Sequence, residues 1–113
     1  MFRSLTAVTL VAAMVQFAPV SAQAAEPPTF ELTIKDHKFT PSVVFVPSGQ
    51  KVILRVRNLD PTPEEFESHD LHREKLIAPG ASADIYIGPL PPGSYGFFGE
   101  FHARTARGKV FAK

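Results

Sequence analysis

Two short segments carry side chains that together can hold a metal ion. Glu65-Phe66-Glu67 sets two carboxylates on alternate residues, and Glu100-Phe101-His102 does the same with a carboxylate and an imidazole. In an extended chain residues i and i+2 project from the same side, so each segment presents a pair of donors. Three oxygens and one nitrogen suit Fe(II), Fe(III), Mn(II) or a tetragonal Cu(II); Cu(I) prefers soft sulfur. Carboxylates stabilise the higher charge of Fe(III), so such a set eases oxidation of Fe(II). The chain has no cysteine, which removes thiolate chemistry and disulfides together. The competing reading is a solvated acidic edge at Glu64, Glu65 and Glu67, the usual place for charged side chains. His69 and His72 lie beside that edge and add a second site or nothing, while His37 sits in a turn far along the chain.

The elements that must position these donors are short and apolar on alternate residues. Phe30, Leu32 and Ile34 alternate with Glu31, Thr33 and Lys35; Val43 to Val46 is a second run; Val52, Leu54 and Val56 face away from Ile53, Arg55 and Arg57. Ala83, Ile85 and Ile87 form another strand, and Tyr95 to Gly99 and Lys109 to Ala112 complete the set. Pro47-Ser48-Gly49-Gln50 and Pro91-Pro92-Gly93 supply turns. Glu65, Glu67 and His69 share one side of an extended segment, whereas His72 to Pro79 reads as a helical turn or an irregular crossing. About seven strands at short intervals, with no room for a helix, predict an all-β antiparallel sandwich or barrel. Phe98 and Phe101 cannot both point inward with Phe97. Asn58, at a strand end, is expected to tie loops together.

Arg3, the apolar run Leu5 to Ala18 and the small residues Ser21-Ala22-Gln23-Ala24 have the layout of a secretory signal peptide cleaved after Ala24. The expected division is a leader over 1–24 and one domain over 25–113. The chain has 12 basic and 11 acidic side chains. Loss of Arg3 with the leader brings the net charge near zero, which does not favour nucleic acid. No small organic substrate is indicated. The exported, cysteine-free chain is expected in the periplasm.

PSGQKVILRVRN and PPGSYGFFGEFHARTARGKVFA resemble the cupredoxin family, in which a Gly-x-Tyr-x-Phe strand leads to a cysteine and, after two residues, a histidine. Gly93, Tyr95 and Phe97 match, and His102 falls at the histidine. Gly99 falls at the cysteine, no methionine lies between His102 and Gly108, and Glu65 is the best match to the family's other histidine. The resemblance therefore implies a cupredoxin-like Greek-key β-sandwich without a type 1 blue-copper centre. The longer pattern DPTPEEFES…REK…IGPLPPGSYGFFGEFH…T…G is similar to the cupredoxin-like periplasmic component of bacterial ferrous iron uptake systems. That resemblance implies binding of copper and/or iron at Glu65, Glu67, Glu100 and His102. It also implies oxidation of Fe(II) before permeation, with an iron permease and a periplasmic iron-binding protein as partners. Two other readings fit the same residues: a non-catalytic periplasmic copper-binding protein, and a metal-free adaptor built on the cupredoxin sandwich.

Overall fold

The computed structural model describes residues 3–18 and 26–113. Residues 3–18 carry no helix or strand and are exposed; the expected cleavage point after Ala24 lies outside the described residues. Among the described residues no helix is long and apolar enough to cross a membrane.

Nine strands and one short helical turn follow: β1 Thr29–Lys35, β2 Lys38–Thr40, β3 Val43–Val46, β4 Val52–Asn58, β5 Glu64–Ser68, β6 Arg73–Ile77, β7 Ser82–Ile87, β8 Gly93–Gly99, the 3₁₀ turn η1 Glu100–His102, and β9 Arg107–Ala112. They form a four-stranded sheet in the order β2-β1-β4-β7 and a five-stranded sheet in the order β3-β9-β8-β5-β6. The β1–β4 and β3–β9 pairs are parallel and the others antiparallel. The fold is the expected cupredoxin-like sandwich, with two strands more than the hydrophobic pattern suggests. The extra strands are β2, three residues long, and β6, which replaces the irregular crossing expected over His72 to Pro79. Strand β6 lies at a sheet edge with only Ile77 buried, so it has no apolar alternation to announce it.

The core fills the space between the sheets. Leu32, Ile34, Val52, Leu54, Val56, Ile85 and Ile87 project from one side, and Val44, Val46, Phe66, Ile77, Phe97 and Val110 from the other. Phe97 anchors it, edge-on to Phe39 at 4.9 Å and stacked on Phe66 at 5.1 Å, arrangements that add to simple burial. Phe98 lies on the opposite face of β8 and is half-buried, and Phe101 is exposed. The turn before β4 uses Gly49 at φ +75°, a conformation open to glycine at little cost. Asn58 is wholly buried. Its Nδ2 donates to the Thr62 and Ile77 carbonyls and its Oδ1 accepts from the Asp60 N–H, holding the loop that delivers the chain to β5.

Candidate metal centre

Strand β5 sends its residues alternately to the two faces of the larger sheet. Glu64, Phe66 and Ser68 are buried, whereas Glu65 and Glu67 face outward. The hairpin to β6 sets Glu74 opposite Glu67 and Leu76 opposite Glu65. On the other flank β8 meets β5 through the pairs Phe66–Gly99 and Glu67–Phe98, which leaves Glu100 beside Glu65 where the chain turns into η1. The hairpin turn is fastened to β8 by side chains: Ser68 Oγ donates to the Gly96 carbonyl (2.6 Å) and accepts from Leu71 N–H, while Asp70 Oδ2 accepts from Gly96 N–H (2.8 Å).

The outcome is a group of four carboxylates, Glu65, Glu67, Glu74 and Glu100, each offering an oxygen within 4.8 Å of the others. Metal–carboxylate bonds of about 2.0–2.2 Å put donors around one ion roughly 3–4.4 Å apart, so small side-chain movements close the set on one ion. Two of its oxygens, Glu65 Oε1 and Glu67 Oε2, are buried without a hydrogen-bond partner. Buried polar atoms are normally paired, and like charges directly across a strand pair are unfavourable. Elsewhere the molecule respects that rule: Arg55 faces Asp84 across β4 and β7 and the two form a bidentate pair at 2.8 and 3.2 Å. Among the described residues no lysine or arginine lies within ion-pairing distance of the four glutamates. The donors and their unpartnered oxygens fit a hard or borderline cation.

The crowding shows in protonation. The Glu74 carboxyl, and then that of Glu100, share a proton with Glu65 and push it up from an ordinary 4.5 to about 8; desolvation and the two neighbouring charges act in the same direction. A folded-state value above the unfolded one stabilises the fold fully below about 4.5, and that contribution is lost as pH rises through about 8. Thermal melts of chelator-treated protein should therefore show a midpoint that falls from about pH 4.5 and levels off above about pH 8, and the slope should vanish in Glu65→Gln.

His102 stands apart from this group. Its Nδ1 hydrogen-bonds Glu64 Oε2 at 2.5 Å, and its ring stacks on that of His37 at 3.4 Å and 10°. Glu64 is 2% exposed and also accepts from Phe101 N–H (2.9 Å) and Glu65 N–H (3.0 Å). Asp60 completes the surroundings. Burial opposes its charge, but the His37 and Asp36 N–H groups, with the His37 and His102 rings nearby, outweigh burial and hold its carboxyl below the usual range. Of the four residues singled out in the sequence, Glu65, Glu67 and Glu100 come together. Glu74 joins them, and His102 is placed with His37 and Glu64 instead. Glu64, rather than Glu65, the expected match to the family's other histidine, is the residue beside Gly99 and His102.

Gly99 marks how fully this end of the sandwich has been rebuilt. A Cβ there would lie 2.6 Å from Glu64 Cδ and 2.8 Å from Ala106 Cβ, so Glu64 occupies the space a cysteine side chain needs. Gly99→Ala should cost about 1–3 kcal/mol, as overpacking does, measured by urea denaturation. Gly99→Cys with Cu(II) should give no intense blue absorption.

The family model of the cupredoxin-like domain matches residues 6–112. The chain is 55% identical over 80 residues to an uncharacterized protein of Rickettsia prowazekii (strain Madrid E), a match covering 71% of this chain and 64% of that protein. The matched region thus spans less than two thirds of that relative's length. Among solved structures it is similar to the blue copper protein auracyanin A of Chloroflexus aurantiacus (TM-score 0.67, 15% identity, 77% of this chain and 99% of that one). It is also similar to the metal-binding domain of the Cu(I)-exporting P-type ATPase of Streptococcus pneumoniae D39 (0.67, 11%, 75% and 84%) and to amicyanin of Paracoccus versutus (0.59, 18%, 81% and 86%).

Proposed function

The chain belongs to the cupredoxin-like domain family, and from that premise we propose that it is an exported metal-binding domain that takes an oxidised ion, hard Fe(III) or borderline Cu(II), on the outer face of its five-stranded sheet. The observation that carries this reading is the set of four converging carboxylates without a cationic partner, two of whose oxygens are buried and unpaired. Without a cysteine the thiolate of a blue-copper centre is missing, and Gly99 and Glu64 have closed the place it would occupy. Glu65, Glu67, Glu74 and Glu100 would hold the ion. Oxygen donors of this kind bind Fe(III) more tightly than Fe(II), which suits a protein that retains iron in its oxidised form.

The wider role we propose is in periplasmic iron uptake, beside an iron permease and a periplasmic iron-binding protein. Support comes from the resemblance of DPTPEEFES and IGPLPPGSYGFFGEFH to the cupredoxin-like component of such systems, and from an amino-terminal segment with the layout of a signal peptide. The copper-only reading has its own support, since copper proteins share the fold. Aerobic incubation with Fe(II), desalting and assay of retained iron separate the two. Iron retained by the wild type and lost in the double variant Glu65→Gln/Glu67→Gln supports iron handling. Retention of Cu(II) with no retained iron supports copper binding alone, and retention of neither refutes both.

A further inference from the structure

We propose that His69 supplies a nitrogen donor to the carboxylate group, so that the bound ion has a mixed oxygen–nitrogen shell drawn from one stripe of the sheet. The proposal rests on the metal-binding reading above and goes further, because it replaces His102, the nitrogen suggested by the sequence, with a residue on a different element.

His69 follows β5 immediately, at the start of the turn into β6, and is exposed. Its Nδ1 lies 3.9 Å from Glu67 Oε1. The two oxygens of Glu67 therefore divide: one is buried and unpaired, the other faces an imidazole. Among the described residues His69 is the one basic side chain within 4.0 Å of any of the four glutamates. The other basic groups nearby are engaged. Arg73 donates to the carbonyls of Tyr86 (2.8 Å) and His72 (2.9 Å), Arg107 lies over the Phe98 ring, and His102 is held between Glu64 and His37.

Space and mobility favour the same residue. The His69 side chain is 80% exposed, so its ring is free to turn, and Phe98 at 5.5 Å gives it an apolar surface to turn against. A surface cavity of about 430 Å³ lined by Glu67, Ser68, His69, His72, Arg73 and Glu74 opens onto two of the four carboxylates, an approach for a hydrated cation. Adjacent donors around an ion with bonds of about 2.1 Å lie roughly 3 Å apart. His69 lies about 1 Å beyond that spacing from Glu67 Oε1, and a turn of its ring toward the carboxylates is needed to bring its nitrogen to the ion. Imidazole and carboxylate together suit Cu(II) and iron alike.

Cu(II) is a convenient probe, because a coordinated imidazole imposes a nitrogen modulation on its pulsed electron paramagnetic resonance signal. One equivalent of Cu(II) bound to the wild type should show that modulation. It should disappear in His69→Ala, with about a tenfold loss of affinity, and persist in His102→Ala and His72→Ala. Modulation that survives His69→Ala, or is absent from the wild type, overturns the assignment. The double variant Glu65→Gln/Glu67→Gln separates the two levels. If it abolishes binding while His69→Ala leaves the modulation intact, only the nitrogen donor is wrong; if it binds Cu(II) with an unchanged spectrum, the carboxylate site itself is wrong.

Discussion

Replacing Glu65 and Glu67 together by glutamine is expected to weaken Cu(II) binding by at least about a hundredfold in calorimetric titration. Loss of a partner that merely orients a metal ligand already costs about 10–100-fold in affinity, and these two residues are placed as ligands themselves. The fold should not suffer. Glutamine keeps the shape of the side chain and relieves two repulsions, between Glu67 and Glu74 across the hairpin and between Glu65 and its neighbours Glu74 and Glu100. The thermal midpoint of the chelator-treated double variant is therefore expected to equal or exceed that of the wild type. This opposition, binding lost while stability is kept or gained, marks a site assembled against the preferences of the apo fold. An acidic edge with no ligand role would show unchanged binding.

Glu64→Ala is expected to act on the fold itself, lowering stability by about 3–5 kcal/mol in urea denaturation, since it removes a buried carboxylate acceptor and hydrogen bonds to charged groups contribute about 1.5–3 kcal/mol each. Three groups lose their acceptor at once: Phe101 N–H, Glu65 N–H and His102 Nδ1. All three belong to the segments that carry Glu65 and Glu100, so Glu64 joins β5 to η1 beneath the carboxylate group without being one of its members. Glu64→Gln is the informative control. Its amide oxygen can still accept from the two backbone N–H groups and its NH₂ can donate to the other tautomer of His102, so its cost should be near 1 kcal/mol. Equal losses in the two variants would show that the hydrogen bonds from η1 and β5 contribute little.

The fold was legible wherever one face of a strand is buried, as in β1, β4 and β8, because burial on one side writes a period of two into the sequence. Strands β2 and β6 were not, since one is too short to show a period and the other is exposed along most of its length. The site divides in the same way. Glu65 and Glu67 follow from alternation. Glu74 depends on the β5–β6 register, which is set by the Ser68 and Asp70 side chains bonding to Gly96 and leaves no mark on Glu74 itself. His102 stands apart from the carboxylates for a definite reason. Reading Glu100 and His102 on one side assumes an extended chain, but the chain enters a 3₁₀ turn there. In such a turn, with about three residues per turn, residues two apart point in different directions. Glu64 was readable in principle: it shares the inward parity of Phe66, so a buried carboxylate at that position was implied once β5 was recognised.

On this reading the metal site lies on the outer face of the larger sheet and not at the loop end of the sandwich. The most direct measurement is anomalous diffraction at the copper edge from crystals loaded with Cu(II). The expected result is one peak among Glu65, Glu67, Glu74 and Glu100, with His69 turned toward it. A peak between Glu64, His37 and His102, and none on the sheet face, would contradict the claim.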